Sequence, residues 1–446
     1  MRKPAWLDLA FLGELLCLLL ATPALYFPNW FPVWASWVSL AVLGAGWVWR
    51  RWRLGRWMVR TPADWPLFFL FAVMLPVAVW AAPEPLRSQY AMPRALILVW
   101  NFCLFYMVTS HASLRPGILR GFVWAFIGAA AVIALLAPLG ISQMNKFAFL
   151  DPIYGRIPQV LRGVFTGAES GFHGNQVAGT LLYVLPLLYA LVLFAPARQR
   201  LQRPVWWLLA LLALYMTGVM VLTQSRAGLL GFGVGMFVVL LLPVRWGRWG
   251  LVVVSCLVVV SAPFWVNSVL SLLGGIGNAA LDTSTLTGRQ EVWSHALYGI
   301  QDFVFTGMGL GTFRAIMPIL YPMFTVSPDF DIAHAHNFFL QTALDFGLPG
   351  LLALLAIYMV AVVQIVGLWR VPATSPAALP LQATWRTWAI GLAGCLVAQT
   401  LYSQLDAVAM GAKPNFLLWF LFALIFAAAN WSRHDRAATG SALASE

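Results

Sequence analysis

The sequence contains few charged residues. Asp, Glu, Lys and Arg together make up 9% of its 446 residues, whereas 61% are hydrophobic. A soluble domain carries about 25% charged residues, so this composition excludes a soluble globular protein and predicts an integral membrane protein. Apolar runs long enough to cross a bilayer predict an all-α protein with about twelve transmembrane helices. These runs lie near residues 6–26, 31–49, 65–82, 95–110, 119–140, 175–195, 205–223, 227–243, 250–270, 348–369, 387–406 and 415–431.

Cysteine is also scarce, and no phosphate-binding glycine motif is present. The four cysteines all fall inside apolar runs, so neither a structural disulfide nor a thiolate metal site is expected. The three alternate glycines of "FTGMGLGTF" (305–313) follow no predicted strand and precede no Lys-Ser/Thr pair, which excludes a nucleotide-binding loop. We interpret this stretch as a tight turn that packs on a helix. No internal repeat is visible, which argues against a transporter built from inverted halves.

The Lys and Arg residues predict the orientation of the chain. With the N-terminus in the cytoplasm, the inner loops contain about twice as many of the 27 basic residues as the outer loops. The net charge of +12 is therefore mainly a topology signal and does not indicate nucleic-acid binding. Both termini are expected to be cytoplasmic. The first apolar run is expected to be a retained helix, because Asp8 and Glu14 interrupt it.

Two of the predicted outer loops are long, at residues 141–174 and 271–347. Loops longer than about 15 residues are usually functional or disordered, and the aromatic and glycine content of these two favours order and function. The sequence therefore predicts helices 1–9 in residues 1–270, a large helical outer loop region in 271–347, and helices 10–12 with a short tail in 348–446. Most of the histidines lie in or beside the outer loops, so the outer face is the expected working surface.

Two arginines occupy positions that suit an anion. Arg226 in "VLTQSRAGLLG" lies between two apolar runs with almost no loop, where a guanidinium costs a few kcal/mol unless it is paired or faces water. It either snorkels to the outer headgroups or clamps an anion from within a cavity. Arg289 in "TSTLTGRQEVW" lies at a predicted helix start, which favours an anion. A surface pair with Glu291 or Asp282 is the alternative.

A third polar segment precedes the span at 175–195. Glycine-rich polar sequence before a membrane helix can present backbone N–H groups to a phosphate or a sugar, although an ordinary turn-rich loop has the same composition. The candidate substrate-binding residues in and beside this segment are Lys146, Arg156, Arg162, His173 and Asn175.

The stretch "DFDIAHAHNFFLQTALDFGLPG" (329–350) combines two carboxylates with two histidines. Asp329 and Asp331 with His334 and His336 could ligate a divalent cation. A general base is the favoured interpretation, because the unperturbed pKa of histidine, about 6.5, allows it to accept a proton near neutrality. No metal is therefore assigned.

His336 is the preferred base of the two histidines. Apolar residues follow it at helical spacing, which predicts that His336 begins a short helix. The break at Gly347, Pro349 and Gly350 is expected to separate this helix from the following span. His334 and Asn337 are assigned to substrate binding.

The segments "TQSRAG", "TGRQEVW", "GMGLGTF" and "HAHNFFLQTALDFGLPG" occur in this order, and the last resembles the signature of the bacterial O-antigen ligase/polymerase superfamily. In that family a His-Asn pair precedes a Leu and a Gly-x-x-Gly, after a large periplasmic loop. The resemblance is best over residues 160–350. It implies that His336 is the essential histidine and that Arg226 and Arg289 are the essential arginines. Asp345 stands where many members have Glu.

The resemblance also implies a GT-C-like fold in the bacterial inner membrane and an active site that faces the periplasm. The expected reaction transfers O-antigen polysaccharide, with inversion, from undecaprenyl pyrophosphate to a sugar hydroxyl of lipid A–core. The histidine is the expected base, the arginines stabilise the pyrophosphate, and no metal, ATP or other cofactor is expected. The expected partners are this donor, this acceptor and membrane lipids, without nucleic acid.

Several alternatives stay open. An O-antigen polymerase and a protein O-oligosaccharyltransferase belong to the same superfamily. The latter tend to have a further C-terminal region, whereas this chain ends 15 residues after its last predicted span, so the ligase is preferred. From another class, a flippase or permease for lipid-linked saccharides would use the same arginines without needing His336 as a base.

Overall fold

The structure is a computed structural model that describes residues 6–140, 150–156, 172–194, 203–245, 247, 286–324, 331–371 and 379–443. Its regular elements in these ranges are helices. They are α1 (Trp6–Tyr26), α2 (Val33–Leu54), α3 (Asp64–Ala81), α4 (Glu84–Ala112), α5 (Pro116–Gly140), α6 (Asp151–Arg156), α7 (Gly174–Phe194), α8 (Arg203–Leu222), α9 (Arg226–Leu241), α10 (Leu286–Asp302), α11 (Phe313–Leu320), α12 (Phe338–Trp369), α13 (Leu379–Leu405) and α14 (Phe416–Leu443). Short 3-10 turns lie at Pro28–Trp30 and Lys413–Asn415.

Eight helical segments are long and apolar enough to cross a membrane: α1, α3, α4, α5, α7, α8, α12 and the segment Lys413–Arg433, which includes the first part of α14. The prediction of an all-α, multi-pass membrane protein is therefore confirmed. Every predicted apolar run coincides with a helix except the run at 250–270, which lies outside the described residues. The count of twelve spans and the three-part division of the chain stay predictions.

Helix α14 forms the centre of the bundle. In the span Lys413–Arg433, 89% of the residues of the most apolar 18-residue stretch are buried, compared with 28% in α3 and in α8, which therefore lie at the periphery. Trp419, Phe422 and Phe426 of α14 are fully buried, and α14 packs on α4, α5 and α12. Aromatic side chains of this size supply a large part of the apolar burial in the core.

A buried ionic cluster joins α1, α2 and α4. The Glu14 carboxylate lies 2.7 Å from Arg50 Nη1 and 2.8 Å from His111 Nε2, and all three side chains are almost fully buried. Arg50 also donates to the Trp57 carbonyl oxygen at 2.6 Å, which ties the α2–α3 connection to the cluster. Glu14, which interrupts the first apolar run, thus pairs with the guanidinium of Arg50 on α2 and contacts the ring of His111 on α4.

Helices α9 and α13 pack closely and run antiparallel. A Cβ on Gly231 would meet Ala398 and Tyr402, and one on Gly235 would meet Ala398 and Gly394, so only small residues permit this contact. Later residues of α9 therefore contact earlier residues of α13. Arg226, about 7 Å before Gly231 along the axis, is placed at the end of the bundle where α13 ends.

Helix α12 is broken near its start, as predicted. Gly347 has φ 68° and ψ 177°, a conformation nearly restricted to glycine, and it divides α12 into two helical segments. The "FTGMGLGTF" turn packs against this break: Leu348 N–H donates to the Val304 carbonyl oxygen, and Met308 N–H donates to that of Leu344. The prediction of a tight turn packed on a helix is confirmed.

One detail of the predicted helix start is wrong. The first helical residue of α12 is Phe338, and Asn337 caps the helix by accepting hydrogen bonds from the N–H groups of Phe339 and Leu340, both at 3.0 Å. Asparagine is a preferred N-cap because its side-chain oxygen satisfies these otherwise unpaired donors. His336 precedes the helix in a left-handed conformation, with φ 47°.

Candidate active site

Side chains from three distant parts of the sequence meet around one carboxylate. His334 and His336 precede α12, Arg289 lies in the first turn of α10, and Asp406 directly follows α13. One ligand-type atom from each of His334, His336 and Asp406 lies within 4.8 Å of the others. We call Arg289, His334, His336 and Asp406 the central cluster.

Asp406 is the hub of the central cluster. Its side chain is only 2% exposed, and its Oδ1 accepts the N–H of Ala407 at 2.8 Å. The same oxygen lies 3.4 Å from His336 Nδ1 and 3.8 Å from His334 Nε2, whereas Oδ2 lies 3.8 Å from Arg289 Nη2. Burial alone would raise the pKa of this carboxyl, but the hydrogen bond with His336 and the positive charge of Arg289 hold its pKa below the usual range. Asp406 is therefore a buried anion.

The two histidines differ in what their ring nitrogens contact. His334 Nδ1 accepts the backbone N–H of His336 at 3.2 Å, and its Nε2 faces Asp406. Burial, together with nearby His336, lowers the pKa of His334 despite the opposing effect of Asp406, so His334 is neutral. His336 uses Nδ1 toward Asp406, and the described residues offer its Nε2 no hydrogen-bond partner. Of the two rings, only His336 retains a nitrogen that can take a proton.

Arg289 contacts the end of α13. Its Nη1 donates to the Leu405 carbonyl oxygen, next to Asp406. Glu291 accepts the N–H of Phe324, and Asp282 lies outside the described residues, so the alternative of a surface pair stays untested. Arg226 opens α9 at the same end of the bundle, where the Ser225 side chain caps the helix by accepting the N–H of Gly228 at 3.2 Å.

A chain of hydrogen bonds holds the segment between the two histidines. Trp293 Nε1 donates to the Ala335 carbonyl oxygen, and the Ala335 N–H donates to Gln341 Oε1, both at 2.9 Å. Gln341 Nε2 donates in turn to Asp345 Oδ1 at 2.9 Å. The fully buried Asp345 thus supports the loop between the histidines through Gln341 and is not itself part of the central cluster.

The remaining predicted residues lie at varied places. Asn337 Nδ2 donates to the Gln404 carbonyl oxygen, which links the start of α12 to the end of α13. The Asn175 carbonyl oxygen accepts from the Tyr402 hydroxyl at 2.6 Å, and His173 precedes α7 and contributes to the electrostatic environment of His334. Arg156 is exposed on α6. Lys146 and Arg162 lie outside the described residues.

Asp331 of the stretch does not complete a metal site with the histidines. Asp331 is 62% exposed and pairs with Arg314 at 2.7 Å, and Asp329 lies outside the described residues. His334, His336 and Asp406 could offer three ligands, but the guanidinium of Arg289 lies against the same carboxylate. A cation next to a ligand opposes the binding of another cation.

Comparison with known families assigns the region that contains most of these residues. Residues 211–355 match the family model described as O-antigen ligase. This match covers about a third of the chain and supports its membership of the O-antigen ligase/polymerase superfamily. The family suggests a membrane glycosyltransferase-like enzyme of the ligase or polymerase type, and it implies lipid-linked polysaccharide substrates. No curated protein matches the chain.

Sequence reasoning missed Asp406. The residue lies outside the matched region, in the short link "LDAVAMGAKPN" between two apolar runs. A carboxylate in so short a link, on the predicted outer side, was the signal that could have identified it. Charged residues at such depth are usually paired with a functional partner.

Proposed function

We propose that the protein is an O-antigen ligase, which transfers a polysaccharide from undecaprenyl pyrophosphate to a sugar hydroxyl of lipid A–core at the periplasmic face of the inner membrane. The observation that supports this most directly is the central cluster. It combines a histidine that has an available ring nitrogen, a buried carboxylate that orients it, and an arginine within one site.

In the proposed reaction, the acceptor hydroxyl gives its proton to His336 Nε2 as its oxygen attacks the anomeric carbon of the donor. The bond between that carbon and the pyrophosphate oxygen breaks, and its electron pair leaves with the pyrophosphate. Attack from the opposite face inverts the anomeric centre. Asp406 stabilises the imidazolium that forms, as the acid does in a nucleophile–His–Asp arrangement.

Arg289 and Arg226 stabilise the charge on the leaving pyrophosphate. Guanidinium groups donate paired hydrogen bonds to phosphate oxygens, and they act most strongly where water is excluded. Arg289 is only 15% exposed, and Arg226 lies at the N-terminus of α9, whose dipole also favours an anion. Arg156, Arg162, Lys146, His173, His334, Asn175 and Asn337 are proposed to bind the saccharide or the lipid headgroup.

A matched pair of variants tests this assignment in a transfer assay with purified donor and acceptor in proteoliposomes. His336→Asn keeps the left-handed backbone, which Asn tolerates, but removes Nε2. It should lower kcat about 10²–10⁴-fold, the usual contribution of a general base. His334→Asn keeps an acceptor for the His336 N–H and should stay within about tenfold of wild type. The reverse order of effects would overturn the assignment of the base.

The same assay separates the other candidate functions. Longer chains on the donor lipid without transfer to lipid A–core would indicate a polymerase, and transfer to a Ser/Thr acceptor protein would indicate an oligosaccharyltransferase. Translocation of donor lipid that survives in His336→Asn, with no transfer by wild type, would indicate a flippase. Loss of transfer after a chelator is added would reinstate a metal at the central cluster.

A further inference from the structure

Arginine and tryptophan are concentrated where α2 ends. The stretch "WVWRRWRLGRWMVR" (47–60) contains five arginines, four tryptophans and no acidic residue. One of these arginines, Arg50, is buried against Glu14. The other four are half-buried or exposed, and we call them the basic patch: Arg51, Arg53, Arg56 and Arg60.

The basic patch lies at the boundary of the bilayer. Helices α1 and α2 pack closely, and the Trp49 indole donates from Nε1 to the Leu9 carbonyl oxygen at 3.1 Å. Leu9 is the first residue of the apolar span in α1. Arg53, one turn after Trp49, is therefore placed about 6 Å beyond the start of this span, at the level of the lipid headgroups. The arginine distribution predicts that this is the cytoplasmic leaflet.

Hydrogen bonds anchor the link that carries part of the patch. Gly55 ends α2 in a left-handed conformation, with φ 70°. Arg50 then donates to the Trp57 carbonyl oxygen at 2.6 Å, and the Val59 N–H donates to Ser110 Oγ at 3.1 Å. The backbone of the link is thus attached to α2 and to α4. Its arginine side chains extend from a fixed support.

Arg53 rests against two indole rings. Its Cζ lies 4.6 Å from the ring centroid of Trp49 and 4.9 Å from that of Trp52. The Trp49 ring is itself confined, because it fills the space that a Cβ on Gly13 would occupy. Stacking uses the faces of a guanidinium and leaves its in-plane N–H groups able to donate. Among the described residues, none accepts a hydrogen bond from Arg53.

Carboxylates do not balance the charge of the basic patch. Among the described side chains, no Asp or Glu lies within ion-pair distance of its four arginines. Glu14 is engaged by Arg50, and Asp64 accepts hydrogen bonds from Thr61 and from the Tyr106 hydroxyl. Each basic residue close to an anionic membrane surface adds to the attraction between protein and lipid. The patch therefore has positive charge that a lipid phosphate can satisfy.

The basic patch is remote from the central cluster. Gly411, which follows Asp406 by one short turn, packs against Arg94 of α4, whereas His111 of the same helix contacts Glu14 beside the patch. Arg94 and His111 are about 26 Å apart along α4, at 1.5 Å per residue. Binding at the patch is therefore independent of the proposed reaction.

We propose that the basic patch binds the headgroup of an anionic phospholipid in the adjacent leaflet, with Arg53 as the principal contact to the phosphate. A guanidinium donates paired hydrogen bonds to phosphate oxygens, and the excess of positive charge selects an anionic headgroup over a zwitterionic one. Trp52 and Trp57 are 70% and 51% exposed, as suits indoles at the level of the headgroups. They pack beside the glycerol of the bound lipid.

Lipid binding by the purified full-length protein tests this proposal. The protein in a neutral detergent is titrated with phosphatidylglycerol or with phosphatidylcholine of the same acyl chains, and native mass spectrometry counts the bound lipid. Wild type should bind phosphatidylglycerol at least about tenfold more tightly than phosphatidylcholine. Arg53→Gln should weaken phosphatidylglycerol binding about tenfold, the effect of losing a hydrogen bond between charged groups.

Arg120→Gln is the matched control, because it removes one exposed arginine of α5 outside the patch. It should change phosphatidylglycerol binding less than about twofold, since no lipid phosphate is bound there. Equal weakening by Arg53→Gln and Arg120→Gln would show that only net charge matters and would overturn the site. A wild type without preference between the two lipids would overturn it as well.

Two additions keep the experiment decisive. Should Arg53→Gln fail to fold, Arg56→Gln takes its place with the same expectation, because the Arg56 side chain is exposed. Inorganic phosphate is added as a competitor. It should not displace phosphatidylglycerol, and displacement at a concentration equal to that of the lipid would replace the lipid site by a simple anion site.

Discussion

Asp406→Asn is the substitution that tests the organisation of the central cluster most directly. Asparagine has the same shape as aspartate, so the hydrogen bond from the Ala407 N–H can persist while the charge is lost. What disappears is the anion 3.4 Å from His336 Nδ1. If Asp406 acts by stabilising the imidazolium, the loss should appear in the chemical step and not in substrate binding.

The size of the effect follows from the distances. At 3.4 Å and an effective dielectric constant of about 20, a unit charge pair interacts by about 5 kcal/mol. This is an upper value, because the imidazolium is only partly formed in the transition state and Arg289 already lies 3.8 Å from the same carboxylate. The difference between a charged and a neutral hydrogen bond is smaller, about 1–2 kcal/mol. We expect the substitution to remove an amount of transition-state stabilisation between these two values, about 2.7 kcal/mol, which lowers kcat about 100-fold.

The assay is transfer to lipid A–core in proteoliposomes, with kcat and both KM values measured. Asp302→Asn is the control, since Asp302 is an exposed carboxylate that accepts only the Tyr321 hydroxyl among its described contacts. The control should retain wild-type kcat. A kcat for Asp406→Asn within about threefold of wild type would refute the role of Asp406 as a positioning residue. A fall in melting temperature without a change in kcat would reduce Asp406 to a structural residue.

Three further changes test other parts of the structure. Glu14→Gln leaves the Arg50 guanidinium buried without its carboxylate and should cost about 3–5 kcal/mol of unfolding free energy in a denaturation experiment; an unchanged midpoint would argue against the ion pair. Gly347→Ala places a Cβ 2.6 Å from neighbouring backbone atoms and should lower the melting temperature by about 10 °C, whereas Gly367→Ala, with open space around it, should not. The pKa of His334 is lowered to about 3, so the unfolded chain binds an additional proton below about pH 6.5 and the folded state loses stability as the pH falls. The melting temperature of wild type should therefore fall more than that of His334→Asn between about pH 7 and about pH 5, and parallel curves would contradict the lowered pKa.

The helices of this fold could be predicted because a bilayer-crossing helix has a strong local signal. A run of about 20 apolar residues allows few other structures in a membrane protein, so the described helices match the predicted runs. The turn at "FTGMGLGTF" and the break at Gly347 were also predictable, since glycine patterns report local backbone geometry. The pairing of Glu14 with Arg50 and His111 was not, because it depends on which helices become neighbours.

The residues of the candidate site were likewise predictable only where their local sequence is distinctive. The motifs identified His336 and Arg289, whose surroundings in sequence are distinctive, and the structure brings both to Asp406. Asp406 itself has no distinctive neighbours, and its position depends on how α13 ends against α10 and the start of α12. The surroundings of Arg94 were not predictable either, because Gly311 and Gly411, which are distant in sequence, pack against it.

The glycine-rich turn and the histidine motif are connected by a continuous series of buried hydrogen bonds. Gly307 and Gly347 let the turn and the broken helix approach until their backbones exchange hydrogen bonds, and no larger residue fits at either position. That contact places the Gly311 N–H on Asp345, and Asp345 in turn holds Gln341 under the loop between the histidines. A disturbance in the turn is thus transmitted through buried hydrogen bonds to the ring positions of both histidines. The distance between the two motifs in sequence therefore does not reflect independent roles: the turn supplies the rigidity that the histidines need, since a base misplaced by about 1 Å loses much of its effect.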